Sequence, residues 1–333
     1  MSLDLTAPEF HDEAAAREWL EGARWPTGPF CAQCGSFNVI RMEGMPERQK
    51  KGKPHRPGSF HCRDCRGQFS VLTGSVMESS HLPLPKWVLA IRLMNASKKG
   101  ISAHQMHRML NITYKTAWFM CHRIREAMRE TAPVALGGAG QVVEADEAYH
   151  GRQETPVPSK ARKGRAYIKK NRPPPKRPII GLVERGGDAR LTHMPHVTGK
   201  NLRDHIVRNV SRKSRLQTDG SPLYDRVGAE FAAHETVHHG AGEYAYGKGD
   251  ALVTTNSVEG LFGIFKRGMT GIYQHCGEQH LQRYLDEFTF RYNNRSKLGV
   301  EDEQRARIAC YGMNHKRLTY RRTDQAEDAP PVG

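Results

Sequence analysis

The segment Gln141-Val-Val-Glu-Ala-Asp-Glu-Ala-Tyr149 predicts a β-strand that carries three acidic side chains at its centre and end. Valine and tyrosine favour extended structure. Successive side chains of a strand point to opposite faces of its sheet, so Glu144 and Asp146 share one face and Glu147 lies on the other. Glu144 and Glu147 are both rivals of Asp146 for a chemical role, and this alternation makes Glu144 the nearer rival.

An α/β pattern continues along the chain beyond this strand. Arg177–Glu184 and Ala189–Val197 are short segments rich in apolar residues, which predict two more strands. Ser214–Thr218 predicts another, and Asp219 follows at its end, directly before a Gly-Ser-Pro turn. Asn256–Lys266 predicts a helix, because its large apolar residues recur at helical spacing.

Three distant acids can form a cage for divalent cations: Asp146 on a strand, Asp219 at a strand end and Glu259 on the late helix. Two-metal phosphoryl chemistry needs ions roughly 3.5–4 Å apart. Mg²⁺ or Mn²⁺ takes carboxylate oxygens from several elements, with water at the remaining positions. Lys266 lies on the same helical stripe as Glu259 and would contact a phosphate.

Two Cys-x-x-Cys pairs near the start of the chain predict a zinc ribbon. Four thiolates at this spacing close a tetrahedral Zn²⁺ site and leave no position for water, so the role of the metal is structural. A disulfide and unrelated thiols are the alternatives. The predicted ligands are Cys31, Cys34, Cys62 and Cys65.

A helix-turn-helix pattern follows the cysteine pairs. Ser102 and Gln105 form an S-x-x-Q capping box at the start of one helix, and Asn111 suits a left-handed turn at its end. The next helix is the candidate recognition helix, and an ordinary helical hairpin is the alternative. The candidate DNA contacts at its start are Thr113, Tyr114, Lys115 and Thr116.

The net charge of +16 at pH 7 indicates a polyanionic partner. A Pro-, Lys- and Arg-rich segment over residues 156–176 predicts a basic loop that contacts DNA. His238 is an auxiliary candidate for contact with the scissile phosphate. The candidate contacts in the loop are Arg162, Lys163, Arg165, Lys169 and Lys170.

The composition argues against membrane proteins. No run of about 18 apolar residues, the length that a membrane span needs, occurs in the chain. The first residues show no basic region followed by an apolar core, which a secretory signal would have. We therefore expect a cytoplasmic, DNA-associated protein whose cysteines are kept reduced.

Six segments resemble the bacterial insertion-sequence transposases of the DDE type that have an N-terminal zinc ribbon, the ISXO-like group. The resemblance extends roughly from Trp25 to Arg295, and the late E-x6-K helix with the block that follows it is its most distinctive part. The segments are Cys31–Gly35, Cys62–Ser70, Val143–Tyr149, Thr218–Ser221, Thr255–Gly268 and Tyr284–Arg295.

The resemblance implies an RNase H-like catalytic core, a mixed five-stranded sheet flanked by helices. It implies Mg²⁺-dependent hydrolysis at element ends, followed by attack of the freed 3′-hydroxyl on target DNA. By position, the first two acids of the family fall on Asp146 and Asp219. The third falls on Glu259 and the accompanying lysine on Lys266. Some relatives have asparagine as the third group, so Asn256 stays a rival or auxiliary candidate.

The sequence thus predicts an α/β catalytic core preceded by two DNA-locating modules. Double-stranded DNA, as element ends and as target, is the expected partner, and the pairing of two ends implies a homodimer or larger assembly. A catalytically inactive DNA-binding regulator and a structure-specific nuclease are the alternatives. The predicted segments are an N-terminal helix (1–25), a zinc ribbon (26–76), a helix-turn-helix region (82–130), the catalytic domain (138–300) and a C-terminal tail (301–333).

Overall fold

The computed structural model describes residues 4–42, 57–153, 176–238, 240 and 242–319. The chain divides into two compact units. The first unit takes in Met1–Ser97, Ile101–Arg129 and Glu301–Gly333, and the second takes in Lys98–Gly100 and Glu130–Val300. Within the described residues, no helix combines the length and the apolar composition that crossing a bilayer requires.

The helices and strands follow the chain in this order. The helices are α1 (Glu13–Arg24), α2 (Leu84–Asn95), α3 (Ala103–Leu110), α4 (Tyr114–Met128), α5 (Gly199–Asn209), α6 (Asp225–Gly228), α7 (Asn256–Gly268), α8 (Leu281–Asn293) and α9 (Asp302–Tyr311). The strands are β1 (Val39–Arg41), β2 (Phe60–Cys62), β3 (Gln68–Phe69), β4 (Val142–Arg152), β5 (Lys176–Glu184), β6 (Ala189–His193), β7 (Arg215–Asp219), β8 (Ala233–Val237), β9 (Ala245–Tyr246) and β10 (Val253–Thr254).

The first unit contains a small antiparallel sheet in the order β1-β2-β3. Aromatic rings form its core: Trp25 packs edge-on against Phe60 and Phe69 at centroid distances of 5.5 and 6.0 Å. Burying rings of this size supplies much of the apolar contact in so short a sheet. The sheet brings the two cysteine pairs into one place.

The helices α3 and α4 begin and end where their capping residues predict. Ser102 Oγ accepts a hydrogen bond from the Gln105 backbone N–H at 3.1 Å, and Asn111 has a left-handed φ of +48°. Thr113 Oγ1 accepts from the Thr116 N–H at 3.2 Å and starts α4. Side-chain oxygens at these positions satisfy backbone donors that the first turn leaves free.

The last described helix, α9, lies in the segment that the sequence predicts as a tail. It packs against α1, α2 and α4 of the first unit. The buried guanidinium of Arg305 donates to the Asn95 carbonyl at 2.7 Å. The buried face of α9 consists mainly of small residues, Ala306, Ala309 and Cys310, so the helix lacks the large apolar stripe that identifies an amphipathic helix in a sequence.

The second unit is built on a five-stranded sheet in the order β6-β5-β4-β7-β8. The β6-β5 and β5-β4 pairs are antiparallel, whereas β4-β7 and β7-β8 are parallel. One face packs against α7 and α8, and the other against α5 and α6. This mixed sheet with helices on both faces confirms the predicted RNase H-like fold.

The helix α7 lies close against the middle of the sheet. Gly181 on β5 faces it, and a Cβ atom at this position would lie 2.7 Å from the side chains of Phe262 and Val258. Gly181 is the register partner of Asp146 on β4. The absence of a side chain at Gly181 therefore lets the first half of α7 lie beside the strand that carries the predicted acids.

Candidate metal centres

The first centre is the group of four cysteines in the first unit. Their sulfur atoms lie within 4.8 Å of one another, with Cys31 Sγ 3.5 Å from Cys65 Sγ and Cys34 Sγ 3.6 Å from Cys62 Sγ. A tetrahedral zinc site with Zn–S distances of 2.3 Å has sulfur atoms about 3.8 Å apart. These residues fit a structural Zn²⁺ ion. All four cysteines are free thiols, which argues against the disulfide alternative.

The electrostatics of this group also suit a cation. Burial opposes ionisation of Cys31, but the backbone N–H groups of Cys34 and Gln33 lower the pKa of this thiol to about 7. The Gly67 N–H favours ionisation of Cys65, yet the neighbouring Cys31 and Cys34 raise the pKa of Cys65 to about 12. Thiolates this close repel one another, and a bound divalent cation would relieve that repulsion.

The second centre is a group of three acids at the end of the parallel strands. A carboxylate oxygen from each of Asp146, Glu147 and Asp219 lies within 4.8 Å of the other two. Asp146 Oδ1 accepts from the Glu147 backbone N–H at 2.7 Å, and Asp219 Oδ1 accepts from the Ser221 N–H at 3.2 Å. All three side chains are half-buried. Oxygen ligands of this kind suit Mg²⁺ or Mn²⁺.

Glu147 joins this group although it belongs to the opposite face of β4 from Asp146. The parallel pairing of β4 with β7 ends at Ala145 and Thr218, whereas β4 itself continues to Arg152. Beyond the paired part, side chains from both faces of β4 can reach the space past the end of β7. Strand alternation alone did not reveal this proximity, because it describes the two faces of β4 and not the place where the neighbouring strand β7 ends.

The acidic group raises the pKa values of three neighbouring side chains, Glu147, Tyr224 and Tyr149. Burial, followed by the negative charges of Asp219 and Asp146, raises the pKa of Glu147 to about 7. Burial and the same carboxylates raise the pKa of Tyr224 well above its ordinary value. Tyr149, which is half-exposed, has its pKa raised by burial and then by Glu147 and Asp146. Negative charge is therefore concentrated where a cation would be stabilised.

Glu144 is not in the acidic group, which corrects the prediction that it is the nearer rival of Asp146. Its side chain is fully buried, and it forms an ion pair with Arg185 at 3.0 Å. The acid that accompanies Asp146 is Glu147. The sequence does mark the end of β7 at Asp219, but it does not mark the register in which β7 pairs with β4.

Glu259 lies in the first turn of α7, and it is also outside the group of three acids. Its carboxylate is half-buried, and Oε1 accepts a hydrogen bond from Thr255 Oγ1 at 2.9 Å. Asn256 is exposed at the start of the same helix. Val258, between them in sequence, touches the Gly181 position beside Asp146. The structure thus brings together two of the three predicted acids and adds Glu147.

His238 and Lys266 are the two further candidates. The exposed ring of His238 lies against Gly220, where an added Cβ would be 2.5 Å from His238 Nδ1, and Gly220 directly follows Asp219. Lys266 is exposed on the last turn of α7. Burial lowers the pKa of His150, and the charges of Arg177 and Lys266 lower it further, so Lys266 belongs to a local concentration of positive charge.

The predicted DNA contacts of the helix-turn-helix region are described in part. Thr113, Tyr114 and Lys115 are exposed, and Thr116 is half-buried. The Tyr114 ring stacks on His104 at a centroid distance of 4.2 Å. The predicted loop contacts Arg162, Lys163, Arg165, Lys169 and Lys170 lie outside the described residues.

Family models match the two regions that hold these centres. Residues 136–293 match the ISXO2-like transposase domain, a DDE domain. Residues 11–68 match the transposase zinc-ribbon domain. Both matches come from the same group and occur in the predicted order. The chain therefore carries both the DDE domain and the zinc-ribbon domain of the ISXO2-like insertion-sequence transposases.

Individual relatives are more distant. An uncharacterized protein in transposable element ISH50 of Halobacterium salinarum is 27% identical over 303 residues, which cover 88% of this chain and 95% of the relative. A pre-cleavage Mos1 transpososome is 11% identical, with 67% of this chain and 76% of that chain covered and a TM-score of 0.27. The Mos1 strand transfer complex is 13% identical, with 70% and 79% covered and a TM-score of 0.26.

Proposed function

We propose that this protein cleaves the ends of an insertion sequence and joins the freed 3′-hydroxyl to target DNA. The observation that supports this most directly is the group of Asp146, Glu147 and Asp219 at the strand ends of an RNase H-like sheet. The matches to both family models support the same function. Mg²⁺ or Mn²⁺ is the cation that oxygen ligands of this kind favour.

We assign Asp146 and Asp219 as cation ligands and Glu147 as the third carboxylate that accompanies them. Glu259 remains the candidate that α7 contributes, with Asn256 as the alternative on the same helix. Divalent cations bound here would activate a water or a 3′-hydroxyl and stabilise the leaving oxygen. The protein's part is to hold carboxylates at fixed separations in a half-buried place, which limits reorganisation during the reaction.

Exposed basic side chains on the second unit would hold the DNA backbone. Arg152 near the end of β4 is the register partner of Lys176 on β5, and both are exposed. Lys266 adds a further exposed ammonium from α7. Lysine and arginine contacts to phosphates give DNA affinity without reading sequence. His238, next to the Asp219 turn, is a second candidate for contact with the scissile phosphate.

The first unit would locate the element ends. A zinc ribbon stabilised by Zn²⁺ and the exposed start of α4 offer the surfaces for this, with Thr113, Tyr114 and Lys115 as the candidate contacts. Double-stranded DNA is the proposed partner, and a homodimer or larger assembly would hold two ends together. The loop residues from Arg162 to Lys170 remain candidate contacts to target or element DNA.

A strand-transfer assay with Mg²⁺ tests the proposal. Selection of bound duplexes from a random pool first identifies the recognised ends, and labelled copies of these ends are then incubated with the protein and target DNA. Joined product supports the transposase. Cleavage without joining would instead indicate a structure-specific nuclease, and binding without cleavage would indicate an inactive DNA-binding regulator. Lys115→Ala should weaken the selected complex, because Lys115 is exposed at the start of the candidate recognition helix.

A further inference from the structure

A buried polar network lies directly behind the acidic group in the second unit. Its centre is Glu144, whose side chain is fully buried. Arg185 donates to Glu144 Oε1 from Nε at 3.2 Å and from Nη2 at 3.0 Å. A buried carboxylate costs much free energy unless charged and neutral donors surround it. Donors of both kinds surround Glu144.

The network joins the two strands that carry the aspartates. Glu144 on β4 is the register partner of Gln217 on β7, and each lies two residues before an aspartate of the group. Arg185 Nη2 also donates to Gln217 Oε1 at 2.6 Å. One guanidinium therefore holds both strands at the level just below Asp146 and Asp219.

The same carboxylate fixes the start of α7. Glu144 Oε2 accepts from the backbone N–H groups of Ser257 and Val258 at 2.8 and 3.2 Å, and Oε1 accepts from Ser257 Oγ at 2.9 Å. The residue at the N-cap position, Thr255, makes no side-chain capping bond. Glu144 thus acts as the N-cap from a neighbouring strand, and its charge is favourable at the positive end of the helix.

We propose that Glu144, Arg185 and Gln217 are positioning residues that hold β4, β7 and α7 in the arrangement that the cation site requires. This rests on the proposed function of that site. Val258, whose N–H Glu144 holds, directly precedes Glu259 in the first turn of α7. The network therefore couples the place of Glu259 to the places of Asp146 and Asp219, although none of its members belongs to the acidic group.

The variant Glu144→Gln tests this role. The glutamine keeps the size of the side chain, but its amide nitrogen is a donor among the five donors that surround Glu144. We expect Mn²⁺ affinity, measured by calorimetry without DNA, to fall about 10- to 100-fold, the loss that follows when groups supporting metal ligands are removed. Cleavage turnover should fall similarly, while the affinity for the selected DNA stays within about twofold.

The matched control is Glu287→Gln on α8. Glu287 is equally buried, pairs with Arg291 on α8 and accepts from Tyr273 Oη at 2.7 Å, a residue beyond the C-terminal end of α7. Its loss should lower stability and leave Mn²⁺ affinity unchanged. Equal losses of Mn²⁺ affinity in both variants would overturn the proposal, since general destabilisation would then explain them.

A milder variant covers the case in which Glu144→Gln does not fold. Ser257→Ala removes one donor, and we expect Mn²⁺ affinity to fall about threefold, as for one hydrogen bond. Unchanged affinity in a folded Ser257→Ala or Glu144→Gln protein would overturn the proposal. If wild-type protein binds Mn²⁺ but joins no DNA, the proposed function fails while the calorimetric test of the network still stands.

Discussion

The two candidate metal centres differ in how the chain supplies their ligands. The thiolates come from two short pairs, each within four residues of sequence, and one small sheet joins them. The carboxylates come from β4 and β7, about 70 residues apart, and they meet only because these strands pair in parallel. The cysteine pairs are therefore visible in the sequence, whereas a group of ligands at strand ends depends on the register in which the strands pair.

The centres also differ in what their ligands leave open. Four thiolates complete a tetrahedral Zn²⁺ site and exclude water. Three carboxylates leave positions on a six-coordinate cation that water or phosphate oxygens can fill. The first arrangement therefore suits a structural role and the second suits chemistry. The predictions below test this division.

The largest effect should follow loss of the thiolate centre. Cys62→Ser should abolish stoichiometric zinc and lower the free energy of unfolding of the first unit by about 5 kcal/mol, because structural zinc contributes directly to folding. Mass spectrometry gives the zinc content, and denaturant titration gives the stability. The control Cys121→Ser changes a buried thiol outside the group. A Cys62→Ser protein as stable as this control would contradict a structural role.

Loss of an aspartate from the second centre should remove chemistry and leave the fold. Asp219→Asn should lower single-turnover cleavage about 10³-fold, because the amide removes a negative charge from the cation site. Binding of the selected DNA and zinc content should be unchanged. Asp225→Asn, at an exposed acid on the neighbouring α6, is the control and should cleave normally. Normal cleavage by Asp219→Asn would remove the second centre from the reaction.

The sequence was most informative where signals are local. The capping box at Ser102, the left-handed Asn111 and the cysteine pairs all act over a few residues, and the structure confirms each. Glu147 was only the more distant rival of Asp146, because its place in the acidic group depends on the register of β7 beside β4. The helix α9 gave no signal either, since its buried face is made of small residues. Both features depend on tertiary contacts, which a local sequence pattern does not show.

Glu147 and Glu259 are the two candidates for the third ligand of the carboxylate centre. Glu147→Gln should lower Mn²⁺ affinity of the DNA-free protein about tenfold, because Glu147 lies within the acidic group. Compared with Glu147→Gln, Glu259→Gln should lower the Mn²⁺ affinity less and the cleavage rate more. The Glu259 carboxylate lies outside the group, where it accepts a hydrogen bond from Thr255. Calorimetry without DNA and single-turnover cleavage measure the two effects. The reverse order would make Glu259 the third ligand of the resting protein.

The smallest expected effect is a loss of stability at low pH. This loss must be measured before metal loss from either centre at low pH can be interpreted. Burial, followed by the charges of Arg190 and Arg208, lowers the pKa of His205 on α5 to about 4. The folded pKa is below the unfolded value of about 6.5. Keeping this histidine neutral therefore has almost no effect on the free energy of unfolding well above pH 6.5, and lowers it as the pH falls toward 4. Glu147 in the same unit, whose folded pKa is raised, contributes in the opposite direction over this range. By itself, His205 should lower the free energy of unfolding of the second unit by about 1 kcal/mol between pH 7 and 5.5.

His205→Gln should remove this dependence, because glutamine does not titrate in that range. Denaturant titrations at the two pH values measure the difference in each protein. His196→Gln, at an exposed histidine of the same unit, is the control and should keep the full pH dependence. If His205→Gln still loses as much stability on acidification as the control, other groups destabilise the unit, and acid loss of Mn²⁺ can then be assigned to its ligands only after those groups are found.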